Sequence, residues 1–446
     1  MRKIIFILIF HLPTILSFSQ EITQTIRGRI IDRDAKIPLV GANVILSGTK
    51  PLIGVSTDIN GNFRLDHIPV GRIDIKLTYL GYEEKVIPNI LLTSGKEVVL
   101  ELDMQELLVK LDEVVVTAHK NKGEVLNEMA LISSRTFSVD ETKHYAGSIN
   151  DPSRMVSSYA GVTNSPSGNN DIIVRGNSPR GISWRLEGVE VPNPNHFANE
   201  GATGGAISAL NSDMLANSDF YTGAFAPEYG NVLSGVFDMK LRSGNNEKHE
   251  YAFGAGVIGT DMMLEGPFKA NYTGSYLINY RYSSLAMLSS AGLVHFDGVP
   301  KFQDGSFKIV LPTHTAGMFS IFGLGGISHI LNSLKDSIDK TSDLGDYGAR
   351  LGVLGVNHTY AFNDHTYVKS SVTLSGNGNA YKEDLPNRPI PEHSEGHMYK
   401  TSFRISTMVS RKVNSQNLIL TGVTFTNFGY DFLTNNFDQK LIISAR

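Results

Sequence analysis

The chain has 446 residues and a formal net charge of −4, long enough for two or three domains and without the basic excess that a nucleic-acid partner requires. It contains no cysteine, which excludes a disulfide framework, a zinc–thiolate centre and a thiol nucleophile, and fits an oxidising envelope compartment. With 43 glycines, 17 tyrosines and 22 phenylalanines, the composition suits strands and turns rather than a helical enzyme.

Residues 1–19 read as a secretory signal peptide. Arg2 and Lys3 give the positive start, residues 4–10 and 12–16 are apolar, and Ser17-Phe18-Ser19 places small residues at the cleavage positions before Gln20. His11 and Pro13 interrupt the run, which is too short for a membrane-spanning helix. No other apolar run approaches 20 residues, so a membrane-spanning chain here must be a β-barrel.

Residues 20–106 are expected to form a β-sandwich. Strand patterns begin at Ile26-x-Gly28-x-Ile30, and follow over 40–46, 53–57, at Phe63 and Leu65, along Ile73, Ile75, Leu77 and Tyr79, and at Val98, Leu100 and Leu102. About seven short strands near ten residues apart are the pattern of a sandwich. Asp58-Ile-Asn-Gly-Asn62 reads as a hairpin turn. It partly matches a calcium loop, but Pro69 stands where the twelfth-position glutamate is needed. The strings G-x-I-x-D, P-L-x-G-A-N-V, T-D-x-N-G-x-F and Y-L-G-Y resemble the carboxypeptidase-regulatory-like domain, a resemblance that implies no peptidase activity.

Residues 107–136 form a linker containing LDEVVVTA. Val114, Val115, Val116 and Thr117 are short, β-branched and followed by a polar run. They read either as the last strand of the sandwich or as an exposed strand that pairs by its backbone with a partner. The segment resembles the TonB box of receptors with this architecture, which implies docking of a TonB-type energising protein.

Residues 137–243 open with Asp151 as a helix N-cap and Pro152 at the first helical position. The string DIIVRGNSPRGISWRLEGV, residues 171–189, then reads as a tightly turned, hairpin-like unit, and residues 193–205 as a polar, Pro-rich loop. Residues 206–215 are read as helical. I-x-V-R-G with x-L-x-G-V-x-V-P, and then FYTGAFAPEYGNVLSGVFDMKLRSG, resemble the plug domain of TonB-dependent outer-membrane receptors. The resemblance implies a loop facing an extracellular vestibule. Asn195, His196 and Phe197 are its best candidates for ligand contact, a polar apex with one aromatic.

Residues 244–446 are expected to begin a transmembrane β-barrel. Tyr272, Tyr276, Ile278, Tyr280 and Tyr282 alternate with Asn271, Thr273, Ser275, Asn279 and Arg281. Phe403, Ile405 and Val409 likewise alternate with Ser402, Arg404, Ser406 and Ser410. That is the apolar-out, polar-in period of a barrel strand. Nine or ten strands are expected between Val236 and Arg446. Plugged outer-membrane transporters have about 22, so the chain is expected to be an N-terminal fragment of a barrel.

The remaining motifs carry little. Gly254-x-Gly256-x-x-Gly259 is followed by no helical pattern, against a dinucleotide loop. His393 and His397 sit in a charged loop, read as solvated surface rather than a metal site. No catalytic, cofactor or metal residues are expected. The fold class is therefore mainly β: an N-terminal sandwich, an α+β plug and the start of an antiparallel barrel. The resemblance implies an outer-membrane receptor, surrounded by lipid, for TonB-coupled uptake of a siderophore, a cobalamin-like cofactor or a glycan. The segment after Thr117 departs from the starch-utilisation type. The alternative is a secreted adhesin or carbohydrate-binding β-protein.

Overall fold

The structure is a computed structural model. It describes residues 22–436 apart from 50, 108–133, 138–141, 143–144, 146–150, 165–170, 199–203, 206, 257–258, 293–297, 336–341, 386–391 and 415–416. The signal-peptide segment and Val114, Val115, Val116 and Thr117 lie outside the described residues.

Seven strands form the first unit: β1 (Thr23–Asp32), β2 (Asn43–Leu46), β3 (Ile53–Ser56), β4 (Asn62–Pro69), β5 (Gly71–Thr78), β6 (Lys85–Leu92) and β7 (Val98–Met104). They make two sheets, ordered β4-β1-β7 and β3-β2-β5-β6. Alternation puts Ile26 and Ile30 of one sheet and Val44, Ile75 and Leu77 of the other into one aliphatic core, each at most 0% exposed. The DINGN segment is a turn: Asp58 Oδ1 accepts from the N–H groups of Asn60 and Asn62, both at 2.8 Å.

The second unit holds β8 (Ser134–Phe137), helix α1 (Pro152–Val156), β9 (Val162–Asn164), β10 (Ile172–Val174), β11 (Ile182–Leu186), β12 (Val189–Val191), β13 (Asn195–His196), β14 (Ile207–Ser208), β15 (Ser218–Tyr221) and β16 (Gly235–Met239). Asp151 caps α1 by accepting from Ser153 N at 2.9 Å, with Pro152 in the first turn. The main sheet is ordered β12-β11-β16-β15-β8, and β11 runs parallel to β16. Both central strands are covered on both faces, which is why ISWRL and GVFDM read as near-continuous apolar runs. Trp184 stacks on Phe237 with ring centroids 4.3 Å apart. The helix expected over 206–215 is not formed. Ile207 and Ser208 instead pair with His196 and Asn195, and only a 3-10 turn, Ser212–Met214, follows. The buried Leu210, Met214 and Leu215 have helix-like spacing but reach the core from an irregular segment.

The third unit is one antiparallel sheet in chain order: β17 (Glu250–Ala255), β18 (Gly259–Pro267), β19 (Ser275–Ser283), β20 (Lys301–Pro312), β21 (Met318–Lys335), β22 (Ser342–Asn363), β23 (Thr366–Leu385), β24 (Glu392–Asn414) and β25 (Asn417–Asn436). A short helix α2 (Ser284–Ser290) follows β19. These are nine strands among the described residues, and the last five run 18 to 23 residues, longer than the ~9–11 residues that cross a bilayer. In β19, Leu277 and Asn279 point inward and are buried, while Ile278 and Tyr280 face out, the alternation read from sequence. The strand starts at Ser275; Asn271, at φ 60°, belongs to the preceding turn. Gly254, Gly256 and Gly259 flank the β17–β18 connection, not a nucleotide loop.

Candidate functional site

The second unit sits against the concave side of the nine-stranded sheet. Among the described residues the two share no backbone ladder; side chains alone join them. The densest junction is the β11–β12 hairpin. Its loop is two residues, Glu187 at φ 56° and Gly188 at φ 82°, the mirror-image turn that matches strand twist. Gly188 meets this demand without strain, but Glu187 does so as a non-glycine residue.

Glu187 is also buried and anchored at every polar group. Its N–H donates to Met239 O at 2.9 Å. Its Oε1 accepts from Leu241 N at 2.7 Å and from Lys308 Nζ at 3.1 Å. Its carbonyl accepts from Asn357 Nδ2 at 3.1 Å and Lys369 Nζ at 3.2 Å. Thus β20, β22 and β23 each reach one residue of the hairpin. A step further, Arg404 of β24 donates to Glu190 O and Oε2, both at 2.8 Å. At the exit of the second unit, Arg242 forks onto Glu265 of β18 with two contacts of 2.7 Å.

The second junction involves the residues chosen from sequence. His196 is buried, its Nε2 2.9 Å from Asp304 Oδ2, and Arg281 holds the same oxygen at 2.7 Å. Burial pushes the imidazole pKa down against the opposing pull of Asp304, whose carboxylate Nε2 faces. The wall makes room for it: a Cβ on Gly326 would lie 2.9 Å from His196 Cε1. Asn195 is buried as well and donates to Asn193 Oδ1 at 2.7 Å. Phe197, at φ 57°, is half-buried, and its N–H donates to Ser328 Oγ at 3.1 Å. The loop segment is tied further by Tyr347 OH donating to Ala198 O at 3.0 Å. Of the three candidates, then, Asn195 and His196 hold the loop against the wall, and Phe197 alone is partly open. His397 stands 3.6 Å from Asp431, while the side chain of His393 lies outside the described residues. No cluster of metal-binding side chains occurs among the described residues.

Sequence reasoning saw Glu187 only as a turn residue. Its partners on the wall lie 121 to 182 residues away, a separation that no local pattern carries. The one local signal was a charged residue in the two-residue turn of an otherwise apolar hairpin.

The first unit touches the wall through charges. Arg27 holds Glu97 at 2.9 Å and Asn246 at 2.5 Å, and also bonds Asn245. Lys412, at the β24–β25 turn, reaches Glu106 at 2.9 Å and Asp34 at 3.2 Å. Burial opposes ionisation of Glu97, but the Arg27 guanidinium outweighs it and holds the carboxyl below its usual range.

Comparison with known proteins agrees with these parts. Residues 26–116 match the CarboxypepD_reg-like domain, a match that takes in Val114, Val115 and Val116. The TonB-dependent transporter Oar of Myxococcus xanthus is 24% identical over 270 residues, covering 57% of this chain and 23% of Oar. The matched domain and the transporter relative together support the mainly β architecture suggested by the TonB-dependent-receptor resemblance. The chain spans about a quarter of the length of that curated relative. Solved structures similar to it include the ferric-catecholate import receptor Fiu of E. coli K12 (11% identity, 68% of this chain and 50% of that chain, TM-score 0.46). Another is the ferric yersiniabactin uptake receptor FyuA of Yersinia pestis (10%, 70% and 59%, TM-score 0.45). These relatives are a transporter and two receptors rather than enzymes.

Proposed function

We propose that the chain is the plug-bearing part of a receptor that imports a ligand across the outer membrane, driven by a TonB-type energising protein. The observation that carries this reading is the seam between plug and wall. It consists of side-chain contacts around Glu187, Glu190, His196 and Arg242, with no shared backbone ladder among the described residues. A plug seated in this way can be displaced without opening the wall, because side-chain pairs re-form when it returns. Transport would draw its energy from the partner.

Val114, Val115, Val116 and Thr117 are the proposed docking strand, adding to a partner sheet by backbone hydrogen bonds. The ligand contacts are proposed for the loop at residues 193–205, with Phe197 meeting the ligand and Asn195 and His196 positioning it. The ligand itself belongs to the small-molecule, siderophore, cobalamin-like or glycan classes. Growth of a deletion strain on single iron, cobalamin or glycan sources tests this: loss of growth on one source, restored by the gene, supports uptake. Heat-modifiable migration of the protein in outer-membrane fractions supports the barrel, whereas recovery only from the periplasm or medium supports the secreted adhesin.

A further inference from the structure

The lipid-facing side of the wall carries a feature that uptake does not use. Gly325 pairs with Gly352, Gly352 with Gly376, Gly376 with Thr401 and Thr401 with Gly429. One row of small residues therefore crosses five strands on a single face. Strand alternation identifies that face as the outward one. Leu324 and Val353, one position off the row, are buried toward the plug, while Ile327, Leu354 and Leu374, two positions off it, are about half exposed.

With Thr401 alone carrying a side chain along the row, the surface sinks into a groove of ≈ 810 Å³. One bank is apolar: Leu354, Leu374 and Phe403, paired in that order. The other bank carries Ile327, Arg350 and Tyr399. The Arg350 guanidinium lies over the Tyr399 ring, 3.8 Å from its centroid. Arg350 is exposed, and no hydrogen bond or ion pair holds it among the described residues.

Height decides what meets that charge. The sandwich contacts Lys412 beside the Asn363 end of β22, which is the periplasmic end on the proposed reading. Thirteen residues separate Arg350 from Asn363. At ~3.3 Å rise and ~45° tilt this is about 30 Å, just beyond an apolar band of ~25 Å. Arg350 thus stands at the headgroup level of the outer leaflet, with the apolar bank below it within the hydrocarbon. An unpaired guanidinium at that level is complementary to phosphate, with which it can form a bidentate pair. The geometry points to a binding site for a phosphorylated lipid of the outer leaflet, its phosphate on Arg350 and an acyl chain along the glycine row. Like the import reading, this rests on that face being membrane-exposed.

The test uses the protein purified from outer membranes and loaded with dioleoyl phosphatidic acid or dioleoyl phosphatidylcholine, with retained lipid counted by native mass spectrometry. Arg350→Gln is expected to lower phosphatidic acid retention about tenfold and leave phosphatidylcholine unchanged, and Arg350→Lys to recover most of the loss. Gly352→Trp fills the groove at a position where an added Cβ meets nothing within 4 Å, and is expected to lower both lipids. Heat-modifiable migration verifies each variant; should Arg350→Gln fail to insert, Gly352→Trp still decides. Unchanged phosphatidic acid retention in the inserted variants overturns the site. A change of oligomeric mass in Gly352→Trp also overturns it, in favour of a second copy in the groove. Wild-type protein found only in soluble fractions brings down the membrane reading instead.

Discussion

The sandwich and the plug are both β-structures with buried strands, yet they are held by different physics. The sandwich closes on aliphatic side chains from two facing sheets, with Ile26, Ile30, Val44, Ile75 and Leu77 fully buried. The plug has its own stacked core around Trp184 and Phe237, which continues into Leu277, Phe322, Leu324 and Val353 of the wall, but its seat adds charged pairs: Glu187 with Lys308, Glu190 with Arg404, and Asp304 with Arg281 beside His196. Apolar contacts tolerate imperfect partners. A buried ion pair loses heavily when one member goes. The sandwich is therefore built to persist and the plug seat to be specific.

The largest expected effect tests why a specific seat is needed. Val115→Pro removes a backbone N–H and restricts the preceding residue. It should abolish uptake while surface binding of ligand persists, as measured by paired transport and binding assays in the intact receptor. Normal transport would place the coupling strand elsewhere and leave residues 114–117 as the last strand of the sandwich.

Next comes Glu187→Leu, which strands the buried Lys308 and leaves Leu241 N without its acceptor. The expected cost to plug seating is about 3–5 kcal/mol. Trp184 is the chain's single tryptophan and lies in the plug, so its fluorescence reports the seat directly. Its urea transition should move to lower concentration while heat-modifiable migration of the wall is retained. A Trp184 transition equal to that of the wild type would show that the hairpin seats without its carboxylate.

Ile75→Ala should cost about 2–5 kcal/mol, but in the sandwich only. Proteolysis of residues 22–107 should accelerate while the Trp184 transition stays where it was. Joint movement of both signals would mean that the two regions unfold as one.

Acid is expected to act more gently and on the same side of the comparison. Burial opposes the Asp103 charge, but Lys85 at 2.6 Å and then Arg33 outweigh it and hold the carboxyl well below the usual range. Glu97 is lowered as well. Groups depressed in the folded state contribute stability that is full above their unfolded values, ~4, and is lost as pH falls through the folded ones. The thermal midpoint of the sandwich should thus drop as pH falls from about 5 toward 3. A midpoint that rose over that range would contradict the pairing.

The contrast also marks what the sequence made legible. Strands with period 2, the Asp58 turn, the Asp151 cap and the Glu187-Gly188 turn follow from neighbours within a few residues, and all were readable. So was the alternation of β19, because its two faces meet opposite surroundings, Leu277 and Asn279 buried and Ile278 and Tyr280 exposed. The segment after Gly205 was misread because Leu210, Met214 and Leu215 satisfy helical spacing, while the pairing of Ile207 with His196 overrides local preference. The charge partners of Glu187, Glu190 and His196 come from β20 to β24 and are fixed by the curvature of the wall. Turn chemistry was local; the reason for placing a carboxylate in that turn was not.

The strand order of the plug has a mechanical consequence. β8, nearest in sequence to the proposed docking strand, is the edge of the sheet among the described residues, where it pairs only with β15, from Ser134–Tyr221 to Phe137–Ser218. The central strands β11 and β16 lie deeper along the chain. Tension arriving from the periplasmic side would therefore load this edge ladder first and reach the hairpin at Glu187 last. Under such a pull the plug would peel from one border in a fixed sequence, and the contacts nearest the wall would be the final ones to feel the force.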